Sequence, residues 1–234
     1  MKLKKAIIAA PFGTYITLPG CTSTRGTYTW TPRPGAVWGA LTRIKFTPDG
    51  IVNQMGLRNP GICSQWLRFK KHPDAIWSIY PDRSVEWMPA DIIVELNMSC
   101  PNVGRVNLEQ ASQAFRSLRN PDNTICKLPA DFDQGVRLFE LAFGAGVTAF
   151  HCCNTIKTAH GGLSGRAIQA ESLPLIRYIK REAWQTKIIG GGGIYTPDDV
   201  KRYRDAGAEH FSLATIFFTP WRVPAVMREI YRER

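Results

Sequence analysis

Two carboxamides and one thiol follow a buried strand in the segment Asn97-Met98-Ser99-Cys100-Pro101-Asn102. The residues before it, Ile92 to Leu96, form an apolar run with one acid, as is typical of a strand in a parallel sheet. Carboxamides donate and accept hydrogen bonds, and a thiol with an ordinary pKa of about 8.5 needs little tuning to exchange protons near neutral pH. The segment predicts a site where this strand ends, with Cys100 as the proton carrier.

Other polar side chains follow other predicted strands. Lys127 lies inside a predicted strand, where a charged side chain must reach an opposite charge or bear a large desolvation penalty. It is either a lysine that extends from a strand end to water or a group that holds an anionic ligand. Asn154-Thr155 closes the next strand, and the loop Asn53 to Gly61 brings two more asparagines. Together they predict a polar rim that binds a planar ligand rich in amide-type groups.

Glycines late in the chain indicate a phosphate site. Gly190 to Gly193 follows an apolar strand and precedes a helix for which we predict Thr196 as N-cap and Pro197 as the first residue. Backbone N–H groups at such a turn can approach a phosphate, although tight packing alone is the alternative. The next strand ends in Ala214-Thr215, which fits the phosphate site that barrels often build after their last two strands. The late position excludes a dinucleotide fingerprint.

The order of predicted elements indicates an α/β fold. From Asp91 onward, strands and helices alternate, which predicts a parallel sheet with helical crossovers. The length of 234 residues is close to the roughly 250 of a (β/α)8 TIM barrel, taken as one domain over residues 1–234. Before Asp91 we predict strands at Ala6 to Ala10, Tyr28 to Thr31 and Ala75 to Tyr80, with short or absent helices, and so a shortened N-terminal half.

Composition narrows the class of protein. The net charge is +11, but no basic cluster interleaves aromatics as RNA-binding proteins do, so we expect a solvated basic face or attraction for a small anionic ligand, and no nucleic acid. The six cysteines show no CxxC spacing, which argues against zinc or iron–sulfur sites and favours a reducing, cytoplasmic location. The apolar run near Met1 is too short for a signal peptide, and none is long enough to span a membrane.

These segments, in their order, resemble the dihydroorotate dehydrogenase family, which are FMN-dependent (β/α)8 barrels of pyrimidine synthesis. The resemblance covers about two thirds of the chain. The matching segments are Asn53 to Gly61, Glu95 to Asn102, Lys127-Leu128, Asn154-Thr155, Gly161 to Gly165, Ile189 to Ile194 and Ala206 to Thr215.

The resemblance implies a role for each matched residue. Cys100 would be the base that removes a proton from C5 of dihydroorotate while hydride passes from C6 to flavin N5, and a cysteine base is typical of the family's soluble branch. The implied substrate-binding residues are Asn53, Met55, Gly56, Leu57, Asn97, Asn102, Asn154 and Thr155. The implied FMN-binding residues are Ala10, Thr27, Asn97, Lys127, Gly165, Gly192, Gly193, Ala214 and Thr215. No metal is implied.

The chain departs from the family near its second strand. A family lysine that contacts flavin and substrate aligns with Gly26, and strand alternation would turn the neighbouring Arg25 to the other face. Three functions stay open: dihydroorotate oxidation, oxidation of another dihydropyrimidine-like cyclic amide, and FMN binding without catalysis. Electrons would leave to a small acceptor or a separate subunit, and the resemblance implies a homodimer.

Overall fold

Parallel strands close into a barrel in this structure, a computed structural model that describes residues 1–35, 43–100 and 104–232. Numbered along the chain, the strands are β1 (Ala6–Ile8), β2 (Cys21–Tyr28), β3 (Ile44–Thr47), β4 (Gly50–Asn53), β5 (Ile76–Ile79), β6 (Ile93–Asn97), β7 (Ser99–Cys100), β8 (Gly104–Arg105), β9 (Thr124–Lys127), β10 (Ala149–Cys152), β11 (Ile156–Thr158), β12 (Gly161–Ser164), β13 (Lys187–Gly191) and β14 (His210–Leu213). The barrel runs in the order β1-β14-β13-β10-β9-β6-β5-β2, and all its neighbours pair in parallel. The predicted TIM barrel is confirmed.

Helices surround the barrel and are shorter in its first half. Among the described residues they are α1 (Phe12–Tyr15), α2 (Trp66–Lys71), α3 (Ser84–Trp87), α4 (Leu108–Arg116), α5 (Phe132–Gly144), α6 (Gln169–Glu182), α7 (Pro197–Ala206) and α8 (Val223–Ile230). The first three span 4 to 6 residues, whereas α5 and α6 span 13 and 14. The shortened N-terminal half is therefore as the sequence predicts. No described helix has both the length and the apolar character that crossing a membrane requires.

The barrel interior is apolar at the start of its strands and polar towards their carboxyl ends. One buried cluster holds Ile7, Ile76, Ile93, Ile125, Ala149 and Ile189, which come from six barrel strands. Alternate residues of a strand share a face, so Ile93 is followed on the inner face of β6 by Glu95 and then Asn97. The inner face of the barrel is therefore apolar at the start of its strands, and its polar side chains lie at the barrel mouth, where the strands end.

The prediction of a strand at Tyr28 to Thr31 is wrong. The observed strand, β2, covers Cys21–Tyr28, so only Tyr28 is shared. Its sequence is rich in Thr and Ser because part of β2 lines the polar region of the barrel, and this composition resembles that of a loop. The helix prediction at Pro197 is confirmed, because Thr196 caps α7 and its hydroxyl accepts from the N–H of Asp199.

Candidate active site

A chain of hydrogen bonds joins polar side chains from four places around the barrel mouth. The Thr27 and Ser78 hydroxyls lie 2.9 Å apart, and Asn97 Nδ2 donates to Thr27 Oγ1 at 2.9 Å. Asn154 Nδ2 donates to Asn97 Oδ1 at 2.8 Å and also to the carbonyl of Ser99. The predicted residues Thr27, Asn97 and Asn154 are therefore brought together. Because Asn154 holds the Ser99 carbonyl, it fixes the segment that carries the next residue, the candidate base.

Three ionisable side chains meet inside the barrel. His151 Nδ1 lies 2.7 Å from Glu95 Oε2, and Lys127 Nζ lies 3.9 Å from Glu95 Oε1. All three side chains are buried. Gly191 leaves room for the imidazole, because an added Cβ would lie 3.0 Å from His151 Nε2. Lys127 therefore has a counterion within the barrel, and its ammonium is still far enough from Glu95 to donate hydrogen bonds to a ligand.

The charges of this group follow from its pKa shifts. Burial alone would raise the pKa of Glu95, but Lys127 and His151 lower it to about 2. Burial, assisted by Lys127, lowers the pKa of His151. At pH 7 the carboxylate is therefore ionised and the imidazole neutral, so we assign the proton of His151 to Nδ1, which donates to Glu95.

We expect both shifts to make the protein less stable in acid. In the unfolded chain, His151 takes up a proton below its ordinary pKa of 6.5 and Glu95 below 4.5, whereas the folded protein resists both protonations. Stability is therefore lost as pH falls, first through His151 and then through Glu95. The free energy of unfolding, measured in urea between about pH 7 and 5, should depend less on pH in His151→Gln than in the wild type. The exposed His160→Gln is the control, and a slope in His151→Gln equal to the wild-type slope would contradict this assignment.

A cavity of about 380 Å³ opens beside Cys100. Cys100 is 6% exposed, and Thr155 shares the cavity wall with it. The remaining wall comes from Ser99, from residues 129–134 before and at the start of α5, from Ile156 and Lys157, and from Glu171. The candidate base thus lines a space large enough for a small ring. Asn97 and Asn154 do not line this cavity, but Asn154 donates to the carbonyl of Ser99, which does.

The predicted phosphate residues lie close together. Gly193 has φ +67°, and an added Cβ would lie 2.4 Å from Arg166 Cα, so only glycine lets the turn after β13 approach Gly165 and Arg166. An added Cβ on Gly165 would lie 3.7 Å from the Tyr195 hydroxyl, which donates to Thr215 Oγ1 at 2.6 Å. The backbone at Gly165 and Gly193 and the hydroxyl of Thr215 therefore face one region. Gly192 and Ala214 are next in sequence to two of these residues.

The remaining predicted residues that the structure describes lie outside the hydrogen-bond chain, the cavity wall and the glycine turn described above. Asn53 ends β4 in an antiparallel sheet of order β11-β12-β4-β3, where its Nδ2 donates to Gly162 O at 3.2 Å. Met55, Gly56 and Leu57 form the loop after β4. Ala10 follows the carboxyl end of β1. Asn102 lies outside the described residues.

The position of the expected lysine has no room for a side chain. Gly26 has φ +111°, and an added Cβ would lie 2.4 Å from the carbonyl oxygen of Ser78. Arg25 does not replace the lysine, because its guanidinium contacts Thr14 O and His72 Nδ1, both at 3.5 Å. This wall of the barrel mouth therefore cannot hold the lysine that the resemblance implies.

Glu95, His151 and Ser78 were not predicted as site residues. Glu95 carried a signal, as the one acid in an apolar strand, and alternation from Ala149 places His151 on the inner face of β10. Ser78 carried no signal, because a serine inside a strand is common and its partner Thr27 lies 51 residues away.

Comparisons with known proteins identify relatives. A family model described as dihydroorotate dehydrogenase matches residues 146–233. The "Dihydroorotate dehydrogenase B (NAD(+)), catalytic subunit" of Alkaliphilus oremlandii (strain OhILAs) is 31% identical over 213 residues, covering 75% of this chain and 70% of that protein. The protein of the same name from Latilactobacillus sakei subsp. sakei (strain 23K) is 27% identical, covering 85% of this chain and 76% of the relative. The fold matches that of an Eimeria tenella DHODH crystallised with ferulenol, with a TM-score of 0.78 at 18% identity over 97% of this chain and 80% of that one.

Proposed function

Because the chain belongs to the dihydroorotate dehydrogenase family, which are flavin-dependent oxidoreductases, we propose that it oxidises dihydroorotate to orotate with FMN bound at the barrel mouth. The observation that carries the proposal is that Cys100 and Thr155 line one cavity, and that Asn154, which is hydrogen-bonded to Asn97, also donates to the carbonyl of Ser99 in the cavity wall. A buried thiol next to paired carboxamides suits abstraction of a proton from a cyclic amide.

The side chains and backbone at the mouth fit FMN. Asn97 and Lys127 are partners in the register of β6 and β9. The ammonium of Lys127, which can donate hydrogen bonds to an electron-rich ring, therefore lies next to the carboxamide of Asn97. Lys127 is 7% exposed and 3.9 Å from Glu95, a distance longer than a hydrogen bond, so its ammonium can still donate to a ligand. In the proposal these residues, with Ala10 and Thr27, hold the ring system. The phosphate end binds at Gly165, Gly192, Gly193, Ala214 and Thr215.

In the proposed reaction Cys100 Sγ, as thiolate, takes the proton from C5 of dihydroorotate. A hydride leaves C6 as the C5–C6 double bond forms, which yields orotate. FMN held by the residues named above would supply the acceptor for that hydride. Asn53, Asn97, Asn102, Asn154 and Thr155 would hold the pyrimidine, with the backbone of residues 55–57. Burial of Cys100 limits exchange of the transferred proton with water.

The test of this proposal is the flavin spectrum of the protein under anaerobic conditions. We expect dihydroorotate to bleach the flavin absorbance of the FMN-loaded protein, because the reduced ring absorbs weakly in the visible. An unchanged spectrum in a protein shown to hold FMN would refute dihydroorotate as substrate and leave flavin binding intact.

A second candidate is a related flavin oxidoreductase that acts on a dihydropyrimidine without a carboxylate. It is favoured by Gly26, where no side chain fits, so no lysine at this position can neutralise a substrate carboxylate. Dihydrouracil is the direct comparison, since it lacks only that group. Faster bleaching by dihydrouracil than by dihydroorotate would favour the second candidate, and the reverse would exclude it.

We propose that electrons leave the flavin through a separate subunit. The matched relatives carry the name "catalytic subunit", which implies a second component in those proteins. This protein should then oxidise dihydroorotate with an artificial dye as acceptor but reduce NAD⁺ only when that second component is added. Direct reduction of NAD⁺ by the isolated chain would contradict a separate subunit.

A further inference from the structure

The positive charge of the chain is concentrated at its beginning. The first 72 residues contain 11 of the 30 Lys and Arg residues but one of the 19 Asp and Glu residues, namely Asp49. They therefore carry +10 of the net charge of +11. Such asymmetry indicates attraction for an anion on this part of the molecule.

Arg25 is the most buried cation in this part of the chain and contacts no carboxylate among the described residues. It lies on β2 with 8% of its surface exposed, and its Nε has no hydrogen-bond partner in the described structure. Its Nη1 and Nη2 reach Thr14 O and His72 Nδ1 only at 3.5 Å, which is long for a hydrogen bond. A buried guanidinium without a counterion is costly, so this arrangement is incomplete without an anion.

Further cations lie at the end of α2, next to His72, which Arg25 contacts. The backbone N–H of His72 donates to Arg68 O at 3.1 Å, and Lys71 is the last residue of the helix. Cations at the carboxyl end of a helix are favoured by its dipole, which accounts for Arg68 and Lys71 as surface residues. The dipole does not account for Arg25, which belongs to a different element and is buried.

The electrostatics of this cluster agree with the geometry. Burial and the nearby Arg68 lower the pKa of Arg25. Burial, followed by Arg25, Arg68 and Lys71, lowers the pKa of His72. The main groups that act on both are thus cations, with Tyr28 beside Arg25, although Asp74 lies two residues beyond His72 in the sequence.

We propose that Arg25, Arg68 and His72 form a binding site for a phosphate group on the face of β2 opposite to that of Gly26. Arg25 offers the unpartnered Nε, and a dianion matches the two guanidinium charges better than a monocarboxylate does. Lys71 lies at the rim. The site is separate from the late glycines, and it exists whether or not the proposed reaction is correct.

The experiment measures binding of inorganic phosphate by calorimetry and by thermal unfolding. The protein is first loaded with FMN and free FMN is then removed by gel filtration, so that the late-glycine region is not available to phosphate and no free phosphate ester competes for the proposed site. Sodium chloride keeps the ionic strength constant. We expect phosphate to raise the Tm of the wild type, and the Kd for phosphate to rise about tenfold or more in Arg25→Met and in Arg68→Gln. Arg177→Met, an exposed arginine on α6, should keep the wild-type affinity.

Arg25→Met also has a signature that loss of a merely structural residue would not give. Without phosphate this variant should unfold at the same temperature as the wild type or higher, because it removes an uncompensated buried charge. If Arg25→Met does not fold, the phosphate affinity of Arg68→Gln tests the proposal in its place. AMP is a second probe, which distinguishes binding of a phosphate ester from binding of the free ion. Tighter binding of either phosphate or AMP than of acetate supports the site.

Two results would overturn the proposal. One is a phosphate affinity in Arg25→Met and Arg68→Gln equal to that of Arg177→Met. The other is an equal response of the wild type to acetate, which would show a general effect of anions.

Discussion

Replacing Cys100 with alanine is expected to slow flavin reduction by dihydroorotate about 10²- to 10⁴-fold, the usual contribution of a general base. The thiol is buried and faces the cavity beside Thr155, so little water is available to replace it as proton acceptor. The rate is measured by stopped-flow absorbance on the FMN-loaded protein. FMN content should not change, because alanine removes only Sγ at this position.

The matched control is Cys63→Ala, because Cys63 is a free and exposed cysteine. It should keep the wild-type rate. Equal rates in the two variants would show that Cys100 does not accept the proton. A loss of FMN from Cys100→Ala would point to a structural role instead, and the stopped-flow comparison is therefore made only at equal flavin content.

Replacing Lys127 with methionine is expected to weaken both FMN binding and the fold. Glu95 is 1% exposed and would lose the ammonium group that compensates its charge, because its other neighbour, His151, is neutral at pH 7. Breaking a buried ion pair costs about 3 kcal/mol of unfolding free energy. FMN would lose the one ammonium group that we assign to its ring. Urea unfolding of the FMN-free protein measures the loss of stability. Quenching of flavin fluorescence on binding measures the loss of FMN affinity.

A second substitution separates these two effects. Glu95→Gln in the Lys127→Met protein removes the uncompensated carboxylate and should restore part of the stability, but FMN binding should stay weak. Lys201→Met is the control, because Lys201 is an exposed surface lysine paired with Asp198. Wild-type affinity of Lys127→Met for FMN would exclude Lys127 from the cofactor site, and restored FMN binding in the double variant would show that the effect was structural.

The sequence allowed prediction of features that depend on neighbouring residues. Thr196 and Asp199 form their capping box within one turn, so the start of α7 follows from local pattern alone. The strand β6 is equally local, since Ile92 to Leu96 is apolar and ends in polar residues. The polar residues at the carboxyl ends of the strands were predicted for the same reason.

Features that depend on distant residues were missed. The antiparallel sheet pairs β4 with β12, and the hydrogen bond between Asn53 and Gly162 spans 109 residues. β2 was misplaced because its polar residues face other strands of the barrel, which the local sequence does not reveal. The contact of His151 with Glu95 spans 56 residues, and neither residue alone identifies its partner.

The central claim is that the strand ends around Asn97, Lys127 and the late glycines form a flavin site. The most direct measurement is the absorbance spectrum and mass of the ligand released from the purified protein after incubation with FMN. We predict one FMN per chain, held through gel filtration. A protein that is folded by circular dichroism but releases no flavin, and does not quench FMN fluorescence on titration, would contradict the claim.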